Sequence, residues 1–171
     1  GKAPVSDTRQ PYNGRASEPW RSYSGMLYSG GLDAKVVGEI VRYNQNRSRL
    51  SKLGIWSGVG WFDNQLMSFT EQGHGYGLLQ HDHIELFLLQ FFAEMAHACT
   101  RGSWTCFESR VLPQGTPGGG YTTPSQSIVP LHLKWMLVWE EPLGRRDVTL
   151  CRGTPRAWLG HGERIEVHGA P

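Results

Sequence analysis

A chain of 171 residues is long enough to bury a core as one domain or two small ones. Its 17 Lys and Arg against 15 Asp and Glu leave a formal net charge of +2, and the basic residues are scattered apart from one modest cluster, RYNQNRSRLSK at 42–52, which argues against nucleic acid as the main partner because phosphate binding needs a concentrated basic face. No apolar run near 18 residues is free of charge, so the chain reads as soluble, with no membrane partner and with its compartment left open.

The chain begins GKAPVSDTRQ without a Met and ends on IEVHGAP, a strand-like stretch with nothing after it to close a sheet. Both ends read as cuts. Residues 33–53 place Val36, Val37, Ile40, Val41, Leu50 and Leu53 at helical spacing. Asp33 suits the N-cap, Arg47, Arg49 and Lys52 suit the negative C-terminal end, and Gly54 suits the left-handed residue that ends a helix. Between 55 and 75, IWSGVGWFDNQLMSFTEQGHG is a long connection rich in Gly and aromatics, a kind more often functional than idle. A second helix is expected from Tyr76 to Arg101, apolar on most sides and stopped by Gly102.

After residue 112 the pattern changes. LPQGTPGGGYTTPSQS reads as a linker or loop. Val129, Leu131, Leu133, Trp135, Leu137 and Trp139 then alternate, as do DVTLC and ERIEV more briefly, and alternation predicts strands. The expected organisation is a helical part over 1–112, a linker over 113–126 and the start of a β-rich domain over 127–171.

Three cysteines cannot all pair within the chain, and Cys99, Cys106 and Cys151 match no CxxC spacing. Free buried thiols are expected, with no Cys99–Cys106 disulfide. GHGYG (73–77) lacks the GxGxxG spacing of a phosphate loop, so its glycines are expected to admit close backbone approach at a helix start. In HDHIE, His81 and His83 lie about 200° apart on a helix, since each residue turns ~100°. His81 and Glu85 share a face, but two ligands are too few for zinc. No metal and no cofactor are expected.

No Gly-x-Ser-x-Gly elbow occurs, and Cys99 and Cys106 have no neighbour that would activate them, which discounts nucleophilic acyl chemistry. Carboxylates and aromatics remain. Seven Trp is a high count for this length, and Asp63, Glu71 and Glu108 each sit beside Trp, Phe, His or Gly. Glycosidic cleavage needs such a set: one carboxyl group protonates the leaving oxygen, another activates water or attacks the sugar, and flat rings bind the sugar's C–H faces.

The stretches KVVGEIVRY, EQGHGYGLLQHDHIELFLLQFFAEMAHACTRGSWTCFES, GGGYTTPSQSIVPLHLKWMLVWEEP and GTPRAWLGHGERIEVHGAP together resemble the C-terminal part of bacterial six-hairpin glycosidase-like proteins. That resemblance runs over most of the chain from about Leu32. It implies mixed α and β structure: the last helices of an (α/α)₆ barrel, completed by missing parts of that barrel, followed by the first strands of a β-sandwich-like domain. It also implies a carbohydrate substrate bound where inter-helix loops gather. On these grounds Glu108 and Glu71 are the candidate catalytic carboxylates, with Trp56, Trp61, Tyr76, Arg101 and Trp104 expected to line the sugar site and Asp63 and His74 to hydrogen-bond hydroxyls. A non-catalytic carbohydrate-binding or structural module is the competing expectation; a paired, desolvated carboxylate with a raised pKa would favour the enzyme, and exposed, separated carboxylates the module.

Overall fold

The computed structural model describes residues 23–47, 65–68, 71–111, 116–141 and 147–168. A helical segment at 23–28 leads to helix α1 (Ala34–Arg47). Asp33 caps it as expected: its Oδ1 accepts the Val36 N–H at 2.9 Å and its carbonyl accepts that of Val37. Val37, Ile40 and Val41 form its buried stripe. Leu50, Leu53 and Gly54 lie outside the described residues.

The single helix expected over Tyr76–Arg101 is two. Helix α2 (Glu71–Gln80) and helix α3 (Ile84–His97) are joined by three residues. The break is a Schellman closure: the His83 N–H donates to the Leu78 carbonyl and the Asp82 N–H to that of Leu79, with Asp82 left-handed at φ 60°. Arg152 completes the end. Its Nε donates to the Leu79 carbonyl at 2.8 Å and its terminal nitrogens bond the Gln80 carbonyl, Asp82 and Glu141, while its guanidinium lies over the Trp139 ring. One cation thus satisfies the orphan carbonyls of α2 and ties residues 139–152 to it.

The alternation over Val129–Trp139 also misleads, because that stretch is mostly helix α4 (Thr123–Leu137). Two periods coexist there. Ile128, His132, Trp135 and Met136, at helical spacing, are the buried set, whereas Val129, Leu131, Leu133 and Leu137 are only half-buried. Pro124 sits in the first turn, where its missing N–H costs nothing, and Pro130 faces out. The expected linker over 113–126 therefore already contains a strand and the first turn of this helix.

Five short strands complete the described fold. β1 (Gln65–Met67), β2 (Ser109–Val111) and β3 (Thr116–Gly118) form one antiparallel sheet in that order. β4 (Val138–Glu140) follows α4 directly and pairs with β5 (Val148–Leu150), with Trp139 opposite Thr149. The strand expected at DVTLC is β5. Residues 163–167 (ERIEV) form no ladder.

The core joins these layers: Leu27, Val37, Ile40, Val41, Leu78, Leu79, Phe87, Phe91, Trp135, Met136 and Trp139 pack as one cluster. The glycines of GHGYG let the helices approach. A Cβ on Gly73 would strike the main chain of Ser24, one on Gly77 would lie 2.8 Å from Leu27, and one on Gly75 would lie 2.6 Å from the His132 ring. Gly73 and Gly77 share a face one turn apart and meet segment 23–28, while Gly75 faces α4. This is the close approach the sequence suggested.

Cys99 and Cys106 are bonded, against expectation, with Cα atoms 4.3 Å apart. The residues between them supply the reason. Thr100 N–H donates to the Thr105 carbonyl, Trp104 N–H donates to that of Thr100, and the hydroxyls of Thr100, Ser103 and Thr105 bond one another at 2.6–2.9 Å. Gly102 takes φ 88°. This turn brings the cysteines face to face as an antiparallel bridge. Closing so short a loop stabilises the fold by about 2–3 kcal/mol in the chain-entropy account. Replacing both cysteines with Ala should lower the denaturation midpoint accordingly, and reductant should lower the wild type but not the double variant. A wild-type midpoint indifferent to reductant would contradict the bridge.

Candidate functional site

The polar groups of chemical interest lie in the seam where α2, α3 and α4 meet, a place apolar by composition. α2 and α3 form a helical hairpin, so residues equidistant from its turn face one another. His74 Nδ1 lies 2.8 Å from Gln90 Oε1, and Gln90 Nε2 donates to the Glu71 carbonyl at 2.8 Å. Gln90 thereby crosslinks the two helices with both ends of one amide. One turn beyond it on α3 is Glu94, whose carboxyl feels the charge of Glu71.

Glu71 and Glu94 are 1 % and 2 % exposed. Burial, reinforced by the charge of Glu71 and opposed by the Ser68 hydroxyl, holds the Glu94 pKa well above the usual carboxylate range. Glu94 Oε1 has no hydrogen-bond partner among the described residues, which is tolerable for a neutral carboxyl and costly for an ion. Glu94 therefore keeps its proton to a higher pH than an exposed glutamate does.

Two histidines border the pair. Burial lowers the His74 pKa to about 4, although its bond to Gln90 works in the other direction. His132 reaches the same seam from α4, and burial takes it also to about 4 against the influence of the main chain of Glu71 and Gln72. Among the described residues, neither ring nitrogen of His132 attains hydrogen-bonding geometry. Both rings are neutral at pH 7, so neither provides a cation to offset a charged carboxylate.

Ser68, just after β1, joins this buried pair to the neighbouring sheet. Its N–H donates to the Glu108 carbonyl at 3.2 Å and its hydroxyl to the Phe107 carbonyl at 3.1 Å, while the same hydroxyl lies beside the Glu94 carboxyl. Glu108 is half-buried, its N–H donates to the Gly120 carbonyl at 2.9 Å, and its side chain lies against Gly119. Gly119 has φ 69°, and a Cβ there would occupy the place of the Glu108 carboxyl. Glu108 thus stands on the sheet side of Ser68 and Glu94 on the helix side.

The residues singled out from sequence are dispersed. Trp56, Trp61 and Asp63 lie outside the described residues. Glu71 and His74 belong to the buried seam. Tyr76 packs edge-on to Tyr28 and Trp135 and beside Trp139, in an aromatic cluster of the core. Arg101 and Trp104 lie in the exposed turn closed by the disulfide; Trp104, at φ 53° and 56 % exposed, stands out into solvent rather than folding back. Glu94, Gln90, Ser68 and His132 were missed. The available signal was Glu94 itself, a carboxylate interrupting the most apolar stretch of the chain on the same face as Gln90.

Among the described residues no group of His, Cys, Asp and Glu could hold a metal ion, and no helix is long and apolar enough to cross a membrane. Comparisons with protein-family models, curated proteins and solved structures find no match.

Proposed function

We propose that this chain is part of a glycoside hydrolase of the six-hairpin barrel type, and that it carries carboxyl groups of the acid–base machinery. The observation that carries the reading is the Glu71–Glu94 pair: two buried carboxyl groups, one of them held protonated above the usual carboxylate range by burial and by the charge of the other. Pairs whose environments separate their protonation states are what acid–base glycosidic cleavage requires. In this reading Glu94 is the proton donor, Glu71 keeps it protonated, and Glu108, nearer the surface on the other side of Ser68, serves as base or nucleophile. The α2–α3 hairpin, with α4 packed on both helices, agrees with a barrel built of helical hairpins, and the strands after α4 agree with a following β-rich part.

One observation favours the other reading, a carbohydrate-binding or structural module: both members of the pair are almost without exposure. The two readings separate in one assay. The intact protein is incubated with oligosaccharides of glucose, galactose, xylose and rhamnose, and newly formed reducing ends are measured. The hydrolase reading expects release from at least one of them and its loss in Glu94→Gln. Binding without release, or no interaction with any of them, would overturn it.

A further inference from the structure

The loop beside Glu108 displays an aromatic side chain for which the fold has no evident need. Tyr121 is 60 % exposed, the most exposed aromatic ring among the described residues. It is nonetheless held in place. Its ring stacks on Phe107 with centroids 4.4 Å apart and planes 27° from parallel. The main chain on either side is fixed as well: the Glu108 N–H donates to the Gly120 carbonyl, and Gly119 makes its left-handed turn against the Glu108 side chain. The Arg110 guanidinium lies over the same Phe107 ring, 5.3 Å from its centroid, and forms no ion pair among the described residues.

A flat ring fixed in orientation stands two residues after Gly119, against which the Glu108 side chain packs. The ring offers its face to C–H groups, and the Glu108 carboxyl offers an acceptor for hydroxyls. Few ligand classes present an apolar C–H face and an edge of hydroxyls on one rigid body; the pyranose ring of a sugar does. Pre-stacking on Phe107 removes most of the ordering cost that a free Tyr side chain would incur on binding. We propose that Tyr121, backed by Phe107, is a stacking subsite for a pyranose ring, placed so that the bound sugar lies beside Glu108. The inference deepens the hydrolase reading, although the subsite would serve a non-catalytic module equally well.

The test uses the intact protein and the same glucose, galactose, xylose and rhamnose oligosaccharides, with affinity measured by titration calorimetry and turnover by reducing-end release. A pyranose face covering on the order of 50 Å² of ring corresponds to roughly tenfold in affinity. Tyr121→Ala should weaken the bound oligosaccharide about tenfold and raise KM with little change in kcat, whereas Tyr121→Phe and Tyr121→Trp should retain binding. All three should keep the wild-type melting temperature within a few degrees, since the ring is largely exposed. Unchanged affinity in Tyr121→Ala, or no binding of any of these sugars by the wild type, overturns the subsite. Binding that depends on Tyr121 without any release of reducing ends overturns the hydrolase reading and leaves the subsite standing. Release of reducing ends with KM and affinity both unchanged in Tyr121→Ala does the reverse.

Discussion

Glu108→Gln should lower the turnover of the intact protein by roughly 10²–10⁴ while leaving sugar binding and the melting temperature close to wild type. The magnitude is that of a positioned general acid or base. The substitution keeps the size of the side chain and its packing against Gly119, and the main-chain bonds of residue 108 to Ser68 and Gly120 are untouched. Loss of packing is therefore no explanation for a fall in rate. Measured as kcat beside a thermal melt, a large fall in kcat at constant stability supports a chemical role. Near-normal turnover would make Glu108 a loop carboxylate whose task is to fill the space over Gly119.

Stability should fall with decreasing pH, and more steeply in Glu94→Gln than in the wild type. His74 and His132 drop on folding from 6.5 to about 4. Each difference amounts to about 3 kcal/mol, present above pH 6.5 and lost as the pH falls towards 4, because the unfolded chain binds protons that the folded one refuses. Glu94 has the opposite sign. Its folded pKa lies well above the usual 4.5, so its contribution is fully present below 4.5 and is lost as the pH rises towards the folded value. Near pH 5.3 the two histidines give the unfolded state almost two extra protons, while the raised Glu94 pKa gives the folded state an excess of the opposite sign. The wild type should then show a slope below two protons, that is, below roughly 2.7 kcal/mol per pH unit. Glu94→Gln removes the opposing contribution and should steepen the acid limb. Denaturant titrations across pH 4.5–6.5 measure both. Equal slopes would show that Glu94 titrates like an exposed carboxylate.

Where one signal dominated, the sequence was legible. α1 has an apolar stripe, an Asp at its start and no competing period, and it forms with Asp33 as its cap. α4 has two apolar periods superimposed, and residues 129–139 alternate well enough to mimic a strand; only the tertiary contacts of Ile128, His132 and Met136 select the helix. The end of α2 is hidden for a different reason. Its left-handed residue is Asp82 rather than Gly, and the group that stabilises the end, Arg152, is seventy residues away in sequence. The Cys99–Cys106 bridge depends on the Thr and Ser hydroxyls of the turn, which spacing rules for cysteine do not weigh.

The site was legible only in part. Glu71 could be singled out because it stands near Gly and His at the end of the long connection, but its partner Glu94 sits in the interior of an apolar helix, where a lone carboxylate reads as an interruption. Pairing the two requires the hairpin turn at Asp82, which was itself unseen. The exposed aromatic that matters beside Glu108 is Tyr121 from the supposed linker, whereas Trp104, nearer in sequence, projects from the disulfide-closed turn.

The central claim is that Glu94 holds its proton well above the usual carboxylate range beside Glu71, and side-chain carboxyl carbon NMR of the ¹³C-labelled protein tests it directly across pH. The account predicts one glutamate carboxyl resonance that stays in the neutral-acid position after the exposed glutamates have titrated, absent from Glu94→Gln and titrating at lower pH in Glu71→Gln, where the neighbouring charge that favours protonation is removed. A Glu94 resonance that titrates in the range of an exposed glutamate would contradict it.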